Sequence, residues 1–251
     1  MHPRLRNLLA KLLATAGYEL HPALPEATLE PLNLLLAYYD ARGEMITVLQ
    51  VGACDGAQND PVRHQVVKGL TRAILIEPNP VAFARLQKTY EGLANVTLLQ
   101  TAIGPTDGVA HLYRVRTDVA DHQAELFLQI ASFDKEHLRR HGKTDDQIEQ
   151  ITVPSRTLGS LVAGLGLPKI DLLQIDAEGF DAEIVRMALK MPVKPDCINF
   201  EHVHLKKQDR RPLYAELSAA GYLLCHDQWN VLAMQTAVIE EMGRAPTMVL
   251  A

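Results

Sequence analysis

A chain of 251 residues, 47% hydrophobic and 22% charged, has the material for one large core, and this composition excludes a disordered, collagen-like or disulfide-stapled protein. A net charge of -5 argues against a surface that tracks nucleic-acid phosphates. The three cysteines, Cys54, Cys197 and Cys225, form no C-x-x-C pair and read as reduced thiols of a cytoplasmic protein, and no apolar run reaches the roughly 18 residues of a membrane span.

Leucines and alanines at helical spacing predict helices over 5–16 and 28–39, so that 1–45 reads as a helical extension ahead of a domain over 46–251. Strands are expected at 47–51 (TVLQV), 72–77 (RAILIE) and 95–100 (NVTLLQ), with helices near 60–69 and 80–90 between them. The run 109–115 reads as a further strand. After it, 116–150 turns polar and irregular and is expected to form a lid or acceptor-binding insertion, in which Ser132 caps a helix carrying Glu136, Leu138 and Arg139.

Thr157 is the expected cap of a short helix ending at Gly164 and Gly166. A buried strand at 169–176, a helix at 180–190, a strand at 197–201, a helix near 212–219 and a hairpin from GYLLCH and WNVLAM complete the chain. Short apolar strands alternating with helices predict a doubly wound, mostly parallel α/β sheet with an antiparallel C-terminal hairpin and N-terminal helices.

Ligands of such sheets bind at the carboxyl ends of the strands, and here the first strand runs into the loop of VLQVGACDGAQNDP. Gly52 and Gly56 let the backbone pass close to a ligand. The G-x-G-x-x-G pattern of a dinucleotide site is broken by Cys54 and Asp55, and a carboxylate there repels pyrophosphate. It attracts the ammonium and sulfonium of S-adenosylmethionine. Glu77 ends the second strand, where a carboxylate can take both ribose hydroxyls, and Ala102 with Ile103 offers adenine a flat apolar surface.

These pieces, together with LIEPNP, NVTLLQTAIG, SRTLGSLV, DLLQIDAEGFDAEIV and INFEH, resemble the FkbM family of S-adenosylmethionine-dependent methyltransferases from about residue 48 to 203. The resemblance implies that Gly52, Ala53, Asp55 and Gly56 line the methionine end of the cofactor, that Glu77 holds the ribose, that Ala102 and Ile103 flank adenine, and that Asp176 closes the site; Cys54 and Asn79 are also expected among the cofactor-binding residues. It implies methylation of a hydroxyl, on a sugar or another natural-product-like small molecule. The sequence departs from the family pattern at Cys54, where asparagine is usual, and at Gln174, where lysine is common.

Alternation along QIDAEG places Asp176 and Glu178 on one side of the crevice, and FEHVH brings Glu201, His202 and His204 to the same sheet edge. His202 is the expected general base, oriented by Asp176 or Glu178. The same acids and histidines are a possible Mg²⁺ site, although no metal ligand is assigned. Arg114, Arg116, His137, Arg139, Arg140 and His141, and the cluster Lys206, Lys207, Arg210 and Arg211, are candidates for acceptor contact. The alternatives are an NAD(P)-dependent oxidoreductase, which shares the fold and the acidic end of strand two, and a non-catalytic binding protein. No nucleic-acid or membrane partner is expected.

Overall fold

The computed structural model describes residues 30–118, 130–205 and 207–244. The helix expected at 5–16 lies outside them. From Pro31 onward the chain forms one compact unit.

After α1 (Pro31–Arg42), the chain alternates β1 (Ile46–Val51), α2 (Arg63–Val67), β2 (Thr71–Ile76), α3 (Pro80–Thr89) and β3 (Val96–Leu99). Further on come β8 (Leu172–Ile175), α6 (Asp181–Lys190), β9 (Cys197–Glu201), α7 (Lys207–Ala219), the hairpin β10 (Tyr222–His226) and β11 (Asn230–Gln235), and a closing helix α8 (Thr236–Arg244). The main sheet has the order β10-β11-β9-β8-β1-β2-β3, with β11 reversed against parallel neighbours. This is the predicted doubly wound sheet. Among the described residues no helix is long and apolar enough to cross a membrane.

Period-two alternation divides the strand side chains between two cores. Leu49, Val51, Ile74, Ile76, Leu173 and Ile175 face one core, which Leu161, Ile184, Val185 and Leu213 close from the helices. Ile46, Val48, Ala73 and Leu75 face the other, against Leu35, Val66 and Leu86. Helices therefore cover both faces, and the carboxyl ends of β1, β2 and β8 open together at one edge.

Between β3 and β8 lies a second sheet, which the sequence pattern did not lead us to expect. Strands β4 (Ala102–Ile103), β5 (Gly108–Val115), β6 (Ala131–Ser132) and β7 (Ile148–Arg156) form it in the order β4-β7-β5-β6. β5 and β7 pair antiparallel along their length, from Gly108 opposite Ser155 to Val115 opposite Ile148. The expected lid is thus partly sheet. Helix α4 (Lys135–Arg140) sits on it through Leu138, which packs with Val115 and Ile148.

Its cap is Asp134, whose carboxylate accepts from the Glu136 amide at 2.9 Å, and not Ser132 as expected. Ser132 is occupied elsewhere, donating to the Glu178 carbonyl at 2.8 Å. Thr157 does cap α5 (Leu158–Leu165), which ends on Gly166 in the left-handed conformation.

Candidate active site

A cavity of about 300 Å³ opens where β1, β2 and β8 end, walled by their loops and, from the far side, by the small sheet. Two glycines shape the first loop. Gly52 has φ +82°, and a Cβ there would lie 1.8 Å from the Asp176 carbonyl oxygen, so only glycine lets the ends of β1 and β8 approach. Gly56, at φ +65°, is pressed against Tyr90 and Leu86 of the α3 side, and does not line the cavity.

Asp55 takes a different place from the one expected. Its carboxylate accepts from the amides of Ala57 and Gln58 at 2.9 and 3.1 Å, an Asx-type turn that folds the loop, and it is absent from the cavity wall. The acidic lining comes from Asp60, Glu77, Asp176 and Glu178. Gly52, Ala53 and Cys54 do line the cavity, as do Ala102 and Ile103.

Glu77 is held at both oxygens, by the Cys54 amide at 2.9 Å and the Asn79 amide at 2.7 Å. Burial pushes its carboxyl up to about 7, with Glu178 adding repulsion and the two amides opposing. Asn79 is itself buried behind Glu77: its side chain caps α3 through the Val81 amide and accepts from Arg114 at 3.0 Å. Arg114 also pairs with Glu149. The small sheet thereby braces Asn79, and through its amide Glu77, by one guanidinium.

Asp176 opens to solvent through the cavity while protein encloses its other sides. Burial and the charges of Glu178, Asp181, Glu201 and Glu77 raise its carboxyl well above the ordinary range. Burial likewise lifts Asp181 to about 6 and Glu201 to about 8. Glu178, at φ +50°, receives the Nε2–H of His137 at 2.7 Å. Cys54 and Asn59 share this left-handed conformation, at +52° and +53°; all three line the cavity, and they are the described non-glycine residues with positive φ.

The structure does not bring His202 to the cavity or to Asp176 and Glu178. It is buried at the far end of β9, where Nδ1 meets the Tyr214 hydroxyl at 2.5 Å and the ring lies 5.8 Å from that of His226. The strand ends at Glu201, so alternation no longer governs which way His202 points. Several of the remaining acceptor candidates are committed to neighbouring acids and carbonyls. Arg116 pairs with Asp118, Arg139 with Asp145 and Glu136, and Arg140 with Asp134. Arg210 donates to the carbonyls of Val203 and Leu205. Lys206 lies outside the described residues.

Sequence reasoning missed the apolar end of the cavity. Leu112, Ile130, Ala131 and Phe133, in and beside the small sheet, line it together with Ala102 and Ile103, and the Phe133 ring lies tilted against that of Phe180 at 4.6 Å between centroids. It also missed Gln50, a cavity-lining residue whose buried Oε1 has no hydrogen-bond partner. The apolar wall left little trace in sequence, because it depends on the pairing of β5 with the distant β7. Gln50 left little because a single polar residue inside an apolar strand carries no pattern of its own.

Residues 50–224 match the family model of the methyltransferase FkbM domain. No curated protein matches the chain. Among solved structures, the methyltransferase FkbM from Methylobacillus flagellatus is 16% identical at a TM-score of 0.44, covering 76% of this chain and 44% of that one. A precorrin-6y C5,15-methyltransferase from Geobacter metallireducens is 12% identical at 0.43, over 84% and 93%. Aeropyrum pernix fibrillarin, solved with natively bound S-adenosyl-L-methionine, is 12% identical at 0.43, over 80% and 74%.

Proposed function

This chain belongs to the FkbM methyltransferase family, and on that premise we propose that it transfers the methyl group of S-adenosylmethionine to a hydroxyl of a small molecule of the sugar or natural-product kind. One observation carries the reading: Glu77 is fixed by two amides at the wall of a glycine-lined cavity that is acidic at one end and apolar at the other. The residues present suit the cofactor. Glu77 keeps a lone pair on each oxygen for the ribose hydroxyls. The unpartnered Gln50 Oε1 and the carboxylate of Asp176 suit the ammonium of the methionine end, and Ala102, Ile103 and Phe133 suit the adenine ring.

When bound, S-adenosylmethionine supplies an electrophilic methyl on a cationic sulfur. The protein's part is to align the acceptor oxygen with the methyl–sulfur bond and to remove its proton. Asp176 and Glu178 stand at the cavity as the proton acceptors. The crowding that raises Asp176 makes it a stronger base than a solvated carboxylate, and His137 fixes Glu178. As the carbon–oxygen bond forms and the carbon–sulfur bond breaks, the hydroxyl proton passes to this carboxylate pair.

Calorimetry with S-adenosylmethionine and with NAD tests the cofactor. Binding of the first and not the second is expected, and the reverse overturns the reading. Incubation with labelled S-adenosylmethionine and a metabolite extract, followed by identification of the labelled product, tests the acceptor. A labelled methyl ether supports the hydroxyl; label on nitrogen or carbon refutes it.

A further inference from the structure

Three histidines absent from the cofactor argument meet beside Glu178. His137 lies in α4, His141 follows the same helix, and His204 comes from the loop after β9. One ring nitrogen from each falls within 4.8 Å of the others. The ring centroids are 4.6 Å apart for His137 and His141, 5.0 Å for His137 and His204, and 5.5 Å for His141 and His204.

Each ring already has one nitrogen against an oxygen. His137 Nε2 meets Glu178 at 2.7 Å, His141 Nδ1 meets the His137 carbonyl at 3.0 Å, and His204 Nε2 lies 3.4 Å from Glu201. A backbone carbonyl only accepts, so His141 carries its proton on Nδ1 and presents a lone pair at Nε2. His137 donates through Nε2, which leaves the lone pair on Nδ1. That atom is buried and has no hydrogen-bond partner, in a side chain only 1% exposed. A buried nitrogen without a partner is costly unless something binds it.

We propose that His137, His141 and His204 bind one divalent transition-metal ion, of the zinc type, at the rim of the cavity. Imidazole donors select such an ion over Mg²⁺, which prefers oxygen. The oxygens of Glu178, of the His137 carbonyl and of Glu201 fix the rings from behind, as outer partners do in histidine metal sites. Three protein ligands leave a fourth position open, as in catalytic zinc sites. Resting on the methyltransferase reading, that position receives the acceptor hydroxyl and lowers its pKa.

The test uses the full chain stripped with chelator, titrated with Zn²⁺ by calorimetry and with Co²⁺ by visible absorption, with no cofactor present. One ion per chain and tetrahedral Co²⁺ bands are expected. Glu178→Gln should weaken binding roughly 10–100-fold. His141→Ala and His204→Ala, at half-buried and exposed positions that tolerate truncation, should weaken it further. His226→Ala, outside the cluster, should not. Absence of stoichiometric binding, or binding indifferent to both ligand substitutions, overturns the proposal. S-adenosylmethionine affinity, measured separately, is expected to survive in the histidine variants; its absence from the wild-type chain with the ion site intact would sink the methyltransferase reading alone.

Discussion

Glu77 joins backbone geometry to ligand chemistry more tightly than any other side chain of the cavity. Its amide partners orient it whether or not a ligand is present; Glu77→Gln keeps one of those two bonds, since its NH2 cannot accept, and should cost about 1–3 kcal/mol of stability while removing the charged hydrogen bonds that the proposed function gives the ribose. Each such bond contributes about 1.5–3 kcal/mol, hence a loss of affinity of roughly tenfold to a hundredfold by calorimetry. Because burial lifts this carboxyl to about 7, affinity in the wild type should rise as pH increases through about 7, while the Gln variant stays flat. His202 gives the opposite expectation. It is held at 2.5 Å by Tyr214 and is not part of the cavity wall, so His202→Ala should keep cofactor affinity and turnover and lose about 1 kcal/mol of stability in denaturant titration. A large fall in turnover with normal folding would restore it as the base.

At the scale of elements, α4 is a six-residue helix, too short to persist without its cap and its packing. Asp134→Ala should cost about 1 kcal/mol, seen as a lower thermal midpoint, and should loosen His137 from Glu178. The central strands β1, β2, β8 and β9 were legible because nearly all their residues are buried on both faces, giving apolar runs. Strand β7 was not. Its burial alternates through polar Gln150 and Thr152, and Pro154 removes a ladder donor, so it reads as a connection although it lies between β4 and β5. Helix α8 was likewise overlooked after the hairpin. The caps illustrate a finer limit: Ser132 and Asp134 both suit a helix start, and only the tertiary contact to Glu178 decides between them.

Across the whole molecule, carboxylates gather at the cavity end of the sheet. Glu77 and Asp181 sit near 7 and 6 when folded, against 4.5 and 3.8 for free side chains. Each holds its proton more tightly folded than unfolded, so their contribution to stability is complete in acid and is lost as pH rises through about 7. Urea titrations should therefore show the ligand-free wild type losing stability between about pH 5 and 8 more steeply than Glu77→Gln; equal slopes would contradict the burial of this charge. The sequence disclosed the loop after β1, the acid ending β2 and the acids after β8, because each sits at a strand terminus. It placed His137 and His141 one helical turn apart, but could not disclose the apolar wall or the arrival of His204 beside them, which depend on long-range pairing.

Cys54, Asn59 and Glu178 hold a left-handed backbone that glycine would adopt more comfortably. Selection for heat tolerance alone should therefore drift toward glycine at these positions, trading catalytic competence for durability. Libraries built from this scaffold would do well to screen both properties together.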